Sequence, residues 1–312
     1  MPLLTVRHVT SYSYKHPVAF GEHRMMFRPR DSHDQRLAAH DLIIVPEPVA
    51  LQWTQDVFGN CIALARFATR AKILRFESVL RVDHDGAPFD PALLREHARV
   101  FPFSYDTDEM PDLLRSIERQ VPDPGHVVDR WARTFLAEMG QVDTLELLSA
   151  MTRTIRRRFT YLARHEPGIQ DPRTTLLLET GTCRDFALLM MEAVRSLGMA
   201  ARFVSGYLHV PQHPRPDEAD RHGGGNTHAW LQVYLPGAGW VEFDPTNGII
   251  GSRGLIRVAT VRDPAMAIPL SGSWTGSPDD CLGMNVSVHV TAEGAGRSFP
   301  IAMPAEAAIR TN

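Results

Sequence analysis

Residues 227–244 constrain the fold of this chain more tightly than any other stretch. Thr227-His-Ala-Trp-Leu-Gln-Val-Tyr-Leu235 alternates cleanly, the signature of a strand whose two faces meet different surroundings. Pro236-Gly-Ala-Gly239 and Trp240-Val-Glu-Phe-Asp244 follow, so the whole reads as a hairpin. Directly opposed residues of an antiparallel pair share a face, and a slip of one residue moves every side chain to the other side. His228 and Asp244 stand at the far ends of the two strands. An even-length turn leaves them on opposite faces. An odd-length turn or a bulge, which the glycines permit, is needed to bring them to one face.

A second stretch supplies a nucleophile for that histidine. Thr180-Gly-Thr-Cys-Arg-Asp-Phe186 opens a helix whose apolar residues Phe186, Met190, Ala193, Val194 and Leu197 share one face. Thr182 is placed as its N-cap with Asp185 three residues on, and Gly198 stands at the C′ position. Cys183 therefore falls in the first turn, where unpaired N–H groups and the positive end of the helix dipole stabilise a thiolate. A thiolate is what acyl transfer at an amide requires, although a free cysteine is as often a small buried hydrophobe. His228 is the candidate base. A carboxylate from Asp244 beside it would fix the tautomer and stabilise the imidazolium.

The three cysteines, Cys61, Cys183 and Cys281, are odd in number, widely spaced and without a CxxC pair. They argue against a disulfide framework and a Cys-rich zinc site, and the expected compartment is a reducing cytoplasm. No secretory leader is readable in the first residues, and apolar runs such as Leu42–Val45 stop short of a bilayer span. His209 and His213 are four apart, but Pro211 and Pro214 break any metal-binding helix there. With 33 Lys+Arg against 36 Asp+Glu the net charge is −3, which leaves no basic footprint for nucleic acid. Arg156, Arg157 and Arg158 read as the solvated side of a helix.

The length of 312 residues suggests about two domains. The chain to Asp83 reads mainly as strands, with Thr5–Tyr14 and Ala38–Val45 the clearest and a turn at Asp56-Val-Phe-Gly-Asn60. Asp83-His-Asp-Gly86 is expected to be a hairpin turn, because Arg81 and Ala92 occupy positions that a calcium loop reserves for acidic ligands. From Asp90 to Leu197 the pattern turns helical. Asp143 and Glu146 mark one helix start, and Leu148, Met151, Ile155 and Phe159 follow at spacings of three and four. Strands return at Ala201–His209. The class is α+β, divided as a β-rich domain at 1–85, a helical connecting region at 86–142, a core at 143–265, and a C-terminal strand and tail at 266–312.

Four motifs then carry a resemblance. Gly181-Thr-Cys-Arg-Asp-Phe-Ala187, Ala201-Arg-Phe-Val-Ser-Gly-Tyr207, His228-Ala-Trp230 and Gly239-Trp-Val-Glu-Phe-Asp-Pro-Thr246 are similar to the bacterial transglutaminase-like family. Tyr12-Ser-Tyr14, Pro17, His23, Arg28-Pro-Arg30, Gln35-Arg36 and Asp56–Asn60 resemble the β-rich domain, here expected to be sandwich-like, that precedes the catalytic core in many members. The resemblance implies Cys183 as nucleophile, His228 as base and Asp244 as the residue that orients it. It implies a papain-like core, with the cysteine-bearing helix packed on an antiparallel sheet. Arg184 stands where the family often has Gln, and Gln232 where an acidic residue is usual, so substrate preference stays open.

The function expected from these residues is cysteine-dependent acyl transfer at an amide or peptide bond, with hydrolysis by a protease or amidase favoured over glutamine crosslinking. A catalytically silent scaffold is the alternative of another class. No cofactor, metal, nucleic acid or membrane partner is expected; a peptide, protein or amide substrate is. The backbone N–H of Cys183 is well placed as one oxyanion donor, and Tyr161 or Gln170 is a candidate for another, although Tyr161 reads first as an aromatic that closes the preceding helix onto the core. Trp230 and Trp240 are candidates for walls of the acyl site or simply for core. Residues 211–226, rich in proline, charge and glycine, read either as a lid over the site or as a plain connection.

Overall fold

The computed structural model describes residues 3–136, 141–162, 168–211 and 221–293. Its first part holds β1 (Leu3–Phe20), β2 (His23–Met25), β3 (Gln35–Val45), β4 (Ala50–Gln55), β5 (Cys61–Arg66) and β6 (Ala71–His84). The middle holds β7 (Val100–Phe101), α1 (Met110–Ile117), α2 (Val127–Arg133), β8 (Val142–Asp143), α3 (Thr144–Arg158), β9 (Thr160–Tyr161), α4 (Pro172–Leu178), β10 (Thr180–Gly181) and α5 (Cys183–Ser196). The strands β11 (Ala201–Leu208), β12 (His228–Leu235), β13 (Gly239–Asp244), β14 (Ile249–Ile250), β15 (Leu255–Val261), β16 (Leu270–Ser271), β17 (Trp274–Thr275) and β18 (Cys281–Ala292) complete it. No helix among the described residues is long and apolar enough to cross a membrane.

The N-terminal strands form two facing sheets. In one, β6 lies between β1 and β3, with β17 and β18 paired to β1; the other runs β16-β2-β5-β4. Tyr14, Val18, Phe20, Leu74 and Phe76 from the first meet Met25, Ala63 and Ala65 from the second, which makes the expected sandwich. The opposite end of β1 does different work. Leu4 and Val6, with Leu80 and Val82 of β6, pack on Tyr207, Ile256 and Val258 of the second half of the chain. The shift of register between Ser13 and Val18 separates these two uses of one strand. The C-terminal strand β18 returns to pair with β1 from Leu4 to Tyr14, so both ends of the described chain lie in this sheet.

The second half of the chain is an antiparallel sheet of order β14-β13-β12-β11-β15 with α5 on one face. Ala229, Leu231, Val233 and Leu235, alternate residues of β12, join the core that contains Phe186, Leu189, Met190 and Ala193 of α5. Periodicity marks α5 as one-sided, yet the structure buries it all round, because α2, α3 and α4 pack on its other flanks. Its polar residues are buried as a pair. Arg195 Nη1 donates to Glu192 Oε1 at 2.9 Å, Arg195 also serves the carbonyls of Ser116, Ala201 and Arg262, and Glu192 accepts the N–H groups of Gln120 and Val121. A buried pair is tolerated only when its remaining hydrogen-bonding capacity is met in this way.

Two expectations need correction. Asp83–Gly86 is not a hairpin turn: β6 already has β1 and β3 as partners, and the chain leaves it toward the second half, where Pro88 bridges Gly251. Residues 91–109 are not helical beyond two single 3-10 turns, with Pro91 and Pro102 unable to donate to a longer helix. The solvated reading of Arg157 and Arg158 agrees with their exposure, and Leu148, Met151, Ile155 and Phe159 are buried.

Two amide side chains of the N-terminal domain fasten the halves together. β15 is an edge strand, and its outward backbone groups need partners. Gln35 donates to Arg257 O at 2.8 Å and accepts Arg257 N–H at 2.9 Å. Asn60 does the same at Thr260, at 2.9 and 3.0 Å. Asn60 is itself held by the Asp56 carboxylate, which also takes the N–H groups of Phe58 and Asn60 and so builds the β4–β5 turn. Asn60→Ala strands two buried backbone groups of Thr260 and should cost about 2–3 kcal/mol of stability. Chemical denaturation of the variant against the parent measures it, and an unchanged midpoint would remove this fastening from the account.

Candidate active site

β12 and β13 pair Leu231 with Phe243 and Leu235 with Gly239, which leaves the three residues 236–238 as the turn. The turn is odd in length, so the parity condition is met: continuing the register sets Asp244 across from Trp230, two residues from His228 on the same face. His228 Nε2 donates to Asp244 Oδ2 at 2.8 Å. Trp230 stacks against His228 with ring centroids 5.9 Å apart and is wholly buried, which makes it core support for the imidazole rather than a substrate wall. Trp240 lies away from the site, under the Arg202 guanidinium at 4.1 Å.

Cys183 is the first residue of α5. Asp185 Oδ2 reaches back to take the backbone N–H of Thr182 at 2.8 Å and its hydroxyl at 2.9 Å, while Oδ1 takes Gln170 N–H at 2.7 Å. The strand just before the helix is fixed too. β10 pairs in parallel with β9, Tyr161 beside Gly181, which sets Tyr161 two residues across from Cys183. Burial, then the charge of Cys183, push the Tyr161 hydroxyl up to about 12. Of the two side chains considered as oxyanion donors, the structure therefore brings Tyr161 to Cys183. The Gln170 amide is spent on Thr175 Oγ1 and Thr180 O, at 3.0 and 2.9 Å.

The imidazole is electrostatically poised. Burial disfavours its charged form, but the Asp244 carboxylate, by charge and hydrogen bond, and Cys183 after it raise His228 from 6.5 to about 10. Burial likewise opposes the Asp244 anion, and His228, Asn247 and the Thr246 N–H outweigh it and lower the carboxyl. The adjacent Arg184 is depressed by burial and supported by the charges of Cys183 and Asp185, so a guanidinium lies within electrostatic reach of the nucleophile. Gln232 is buried between Arg202 Nε and Glu242, both at 2.7 Å. Through Glu242 it is linked to Arg257, which reaches Asp34 of the N-terminal domain.

Residues that sequence reasoning missed close over this site. Asn247 holds the backbone of His222, and the His222 ring lies parallel to Tyr161 at 5.1 Å and 2°. Gly223 has φ +104°, and a Cβ there would stand 2.5 Å from His228 Nδ1. With this cover in place Cys183 is 5% exposed, His228 1% and Asp244 0%, so a substrate enters only when something moves. Two open clefts of about 360 and 470 Å³ are lined by neither Cys183 nor His228. The only signal in the sequence was the Gly-rich run before His228. Of the segment considered as a lid, 212–220 lie outside the described residues, as does His213. Among the described residues no cluster of His, Cys, Asp and Glu could hold a metal ion, and all three cysteines are free thiols.

Comparison with known proteins gives two family matches: the bacterial transglutaminase-like N-terminal region over residues 4–83 and the transglutaminase-like superfamily over residues 133–245. An uncharacterized protein of Mycobacterium tuberculosis is 29% identical over 293 residues, 91% of each chain. One of Mycobacterium leprae is 38% identical over 112 residues, 36% of this chain and 37% of that one. A crystal structure from Cytophaga hutchinsonii, provisionally named a cysteine protease, covers 96% of this chain and 93% of its own with a TM-score of 0.65 and 19% identity. At that identity the likeness is one of fold.

The charge on His228 is open to direct test. A folded pKa raised from 6.5 to about 10 adds stability in full below 6.5 and loses it as pH rises through 10. Asp244→Asn removes the charge that outweighs burial, and the imidazole should then titrate below 6.5. NMR titration of the His228 ring in both proteins, with denaturation curves across that pH range, gives the answer. A wild-type ring that titrates near neutrality would contradict it.

Proposed function

The chain belongs to the transglutaminase-like superfamily, its core preceded by the bacterial N-terminal region, and on that premise we propose that it is a cysteine-dependent acyl-transfer enzyme that cleaves an amide or peptide bond through a thioester on Cys183. The observation that carries this reading is the buried His228–Asp244 hydrogen bond of 2.8 Å, with Cys183 at a helix start within electrostatic reach of the same imidazole.

In this reading the Cys183 thiolate attacks the carbonyl carbon, and the carbonyl π electrons move onto oxygen as the C–S bond forms. The oxyanion meets the Cys183 backbone N–H and the Tyr161 hydroxyl, donors already fixed in place. His228 gives the proton on Nδ1 to the departing nitrogen as the C–N bond breaks. Neutral His228 then takes a proton from water through the same nitrogen, the hydroxide oxygen bonds the acyl carbon, and the C–S bond breaks to restore thiolate and imidazolium. Asp244 stays ionised throughout and holds Nε2. Free thiols throughout the chain suit a reducing compartment such as the cytoplasm.

The test is capture of acyl–Cys183 by mass spectrometry from a peptide mixture, in ¹⁸O water with and without a primary amine. The adduct should form in the parent, vanish in Cys183→Ala and fall by about a hundredfold or more in His228→Ala. Label from water in the released acid identifies hydrolysis, and an amide with the added amine identifies transfer. No adduct, together with a Cys183→Ala protein that behaves as the parent, would favour a silent scaffold.

A further inference from the structure

Asn247 uses its whole amide between two parts of the molecule that the chemistry leaves unconnected. Its Oδ1 accepts the His222 N–H at 2.7 Å, and its Nδ2 donates to His222 O at 3.0 Å and to Asp244 Oδ2 at 2.8 Å. The orientation of the amide is fixed by these partners, since a flipped group would set an oxygen against two acceptors. Its own position is rigid. Asp244 Oδ1 takes the N–H groups of Thr246 and Asn247, and Asp244 O takes that of Gly248, so the 244–248 turn is held by the same carboxylate that holds His228.

His222 is thus gripped through its backbone, which leaves its ring free to stack on Tyr161. The next residue, Gly223, lies so close to His228 Nδ1 that no side chain fits, and Gly225 O is tied to Val288 N–H of β18 at 2.9 Å. His228 Nδ1 is buried and has no hydrogen-bond partner. The contacts run as a chain, Tyr161 to His222, His222 to Asn247, Asn247 to Asp244 and Asp244 to His228, and both ends of it lie within electrostatic reach of Cys183.

We infer that Asn247 is a positioning residue, a clasp that ties residues 222–225 over the His228–Asp244 pair and sets the closed state of the site. Its catalytic consequence rests on the proposed function: the closed strap keeps water from His228 Nδ1 until a substrate displaces it, so that the proton there is reserved for the leaving nitrogen. The clasp itself is a property of the free protein and is measured without any substrate.

The experiment compares the full-length protein with Asn247→Ala and with Asn247→Asp, which keeps the size and one acceptor but loses both N–H donors. Amide hydrogen exchange at 222–225 should quicken by about tenfold or more in each, while β1 and β12 keep the exchange of the parent. The ratio of Cys183 labelling rates by a bulky maleimide and by iodoacetamide, which cancels thiol ionisation, should rise by about tenfold in both variants. If acyl-enzyme turnover is present, kcat should fall by about tenfold with KM changed less than about twofold. Exchange at 222–225 equal to the parent's, or raised only in step with the whole core, would overturn the clasp. Absence of any acyl-enzyme in the parent would instead count against the proposed function and leave the exchange and labelling readouts intact.

Discussion

The hydrogen bond between His228 Nε2 and Asp244 Oδ2, closed off from solvent, sets the terms that the rest of the second half of the chain meets. Two ionised groups leave water only if geometry and further hydrogen bonds repay the loss. Asp244 is repaid by the N–H groups of Thr246 and Asn247 and by the Asn247 amide, and His228 by Asp244 and Cys183. None of this survives a slip of one residue in the β12–β13 ladder, which would turn one partner to the opposite face. The three-residue turn at 236–238 and the apolar side of β12 against α5 hold the register.

The N-terminal sandwich bears on the same sheet from its far edge. β15 would otherwise present free backbone groups, and Gln35 and Asn60 pair with them as a further strand would. Arg257, on β15, reaches both Asp34 of the sandwich and Glu242 of β13, and Glu242 is linked through Gln232 to Arg202. Together with the packing of Leu4 and Val6 on Tyr207 and Ile256, this makes the sandwich a brace for the strands that carry the site. The return of β18 to β1 brings Val288 to the strap over His228, so the brace also touches the cover of the nucleophile.

Much of this was legible because it is local. The start of α5 is written in Thr182, Cys183 and Asp185, a cap and its reciprocal carboxylate within one turn. The alternation of β12 and the parity of residues 228 and 244 state in advance what turn length the site requires. Other features were hidden because their partners are far away in the chain. Asn60 looks like a turn residue, and its bonds to Thr260 span 200 positions. Tyr161 and Gln170 could not be separated until the parallel pairing of β9 with β10 placed one at the sulfur and left the other to cap a turn. Asn247 follows Asp-Pro-Thr in a sequence that reads only as a loop, and its meaning comes from His222, 25 residues earlier.

By itself, the sequence determined the elements and the chemistry they offer: a capped helix that begins with a cysteine, a hairpin with His228 and Asp244 of equal parity, and a β-rich region ahead of them. These follow from short-range sterics and hydrogen bonding, which act between neighbours in the chain. Only the tertiary structure decided which groups surround the sulfur, that the Tyr161 side chain and not Gln170 is brought toward it, and that the site is closed by a strap held through Asn247. Those depend on the packing of segments distant in sequence, where burial sets the strength of each charge and each hydrogen bond.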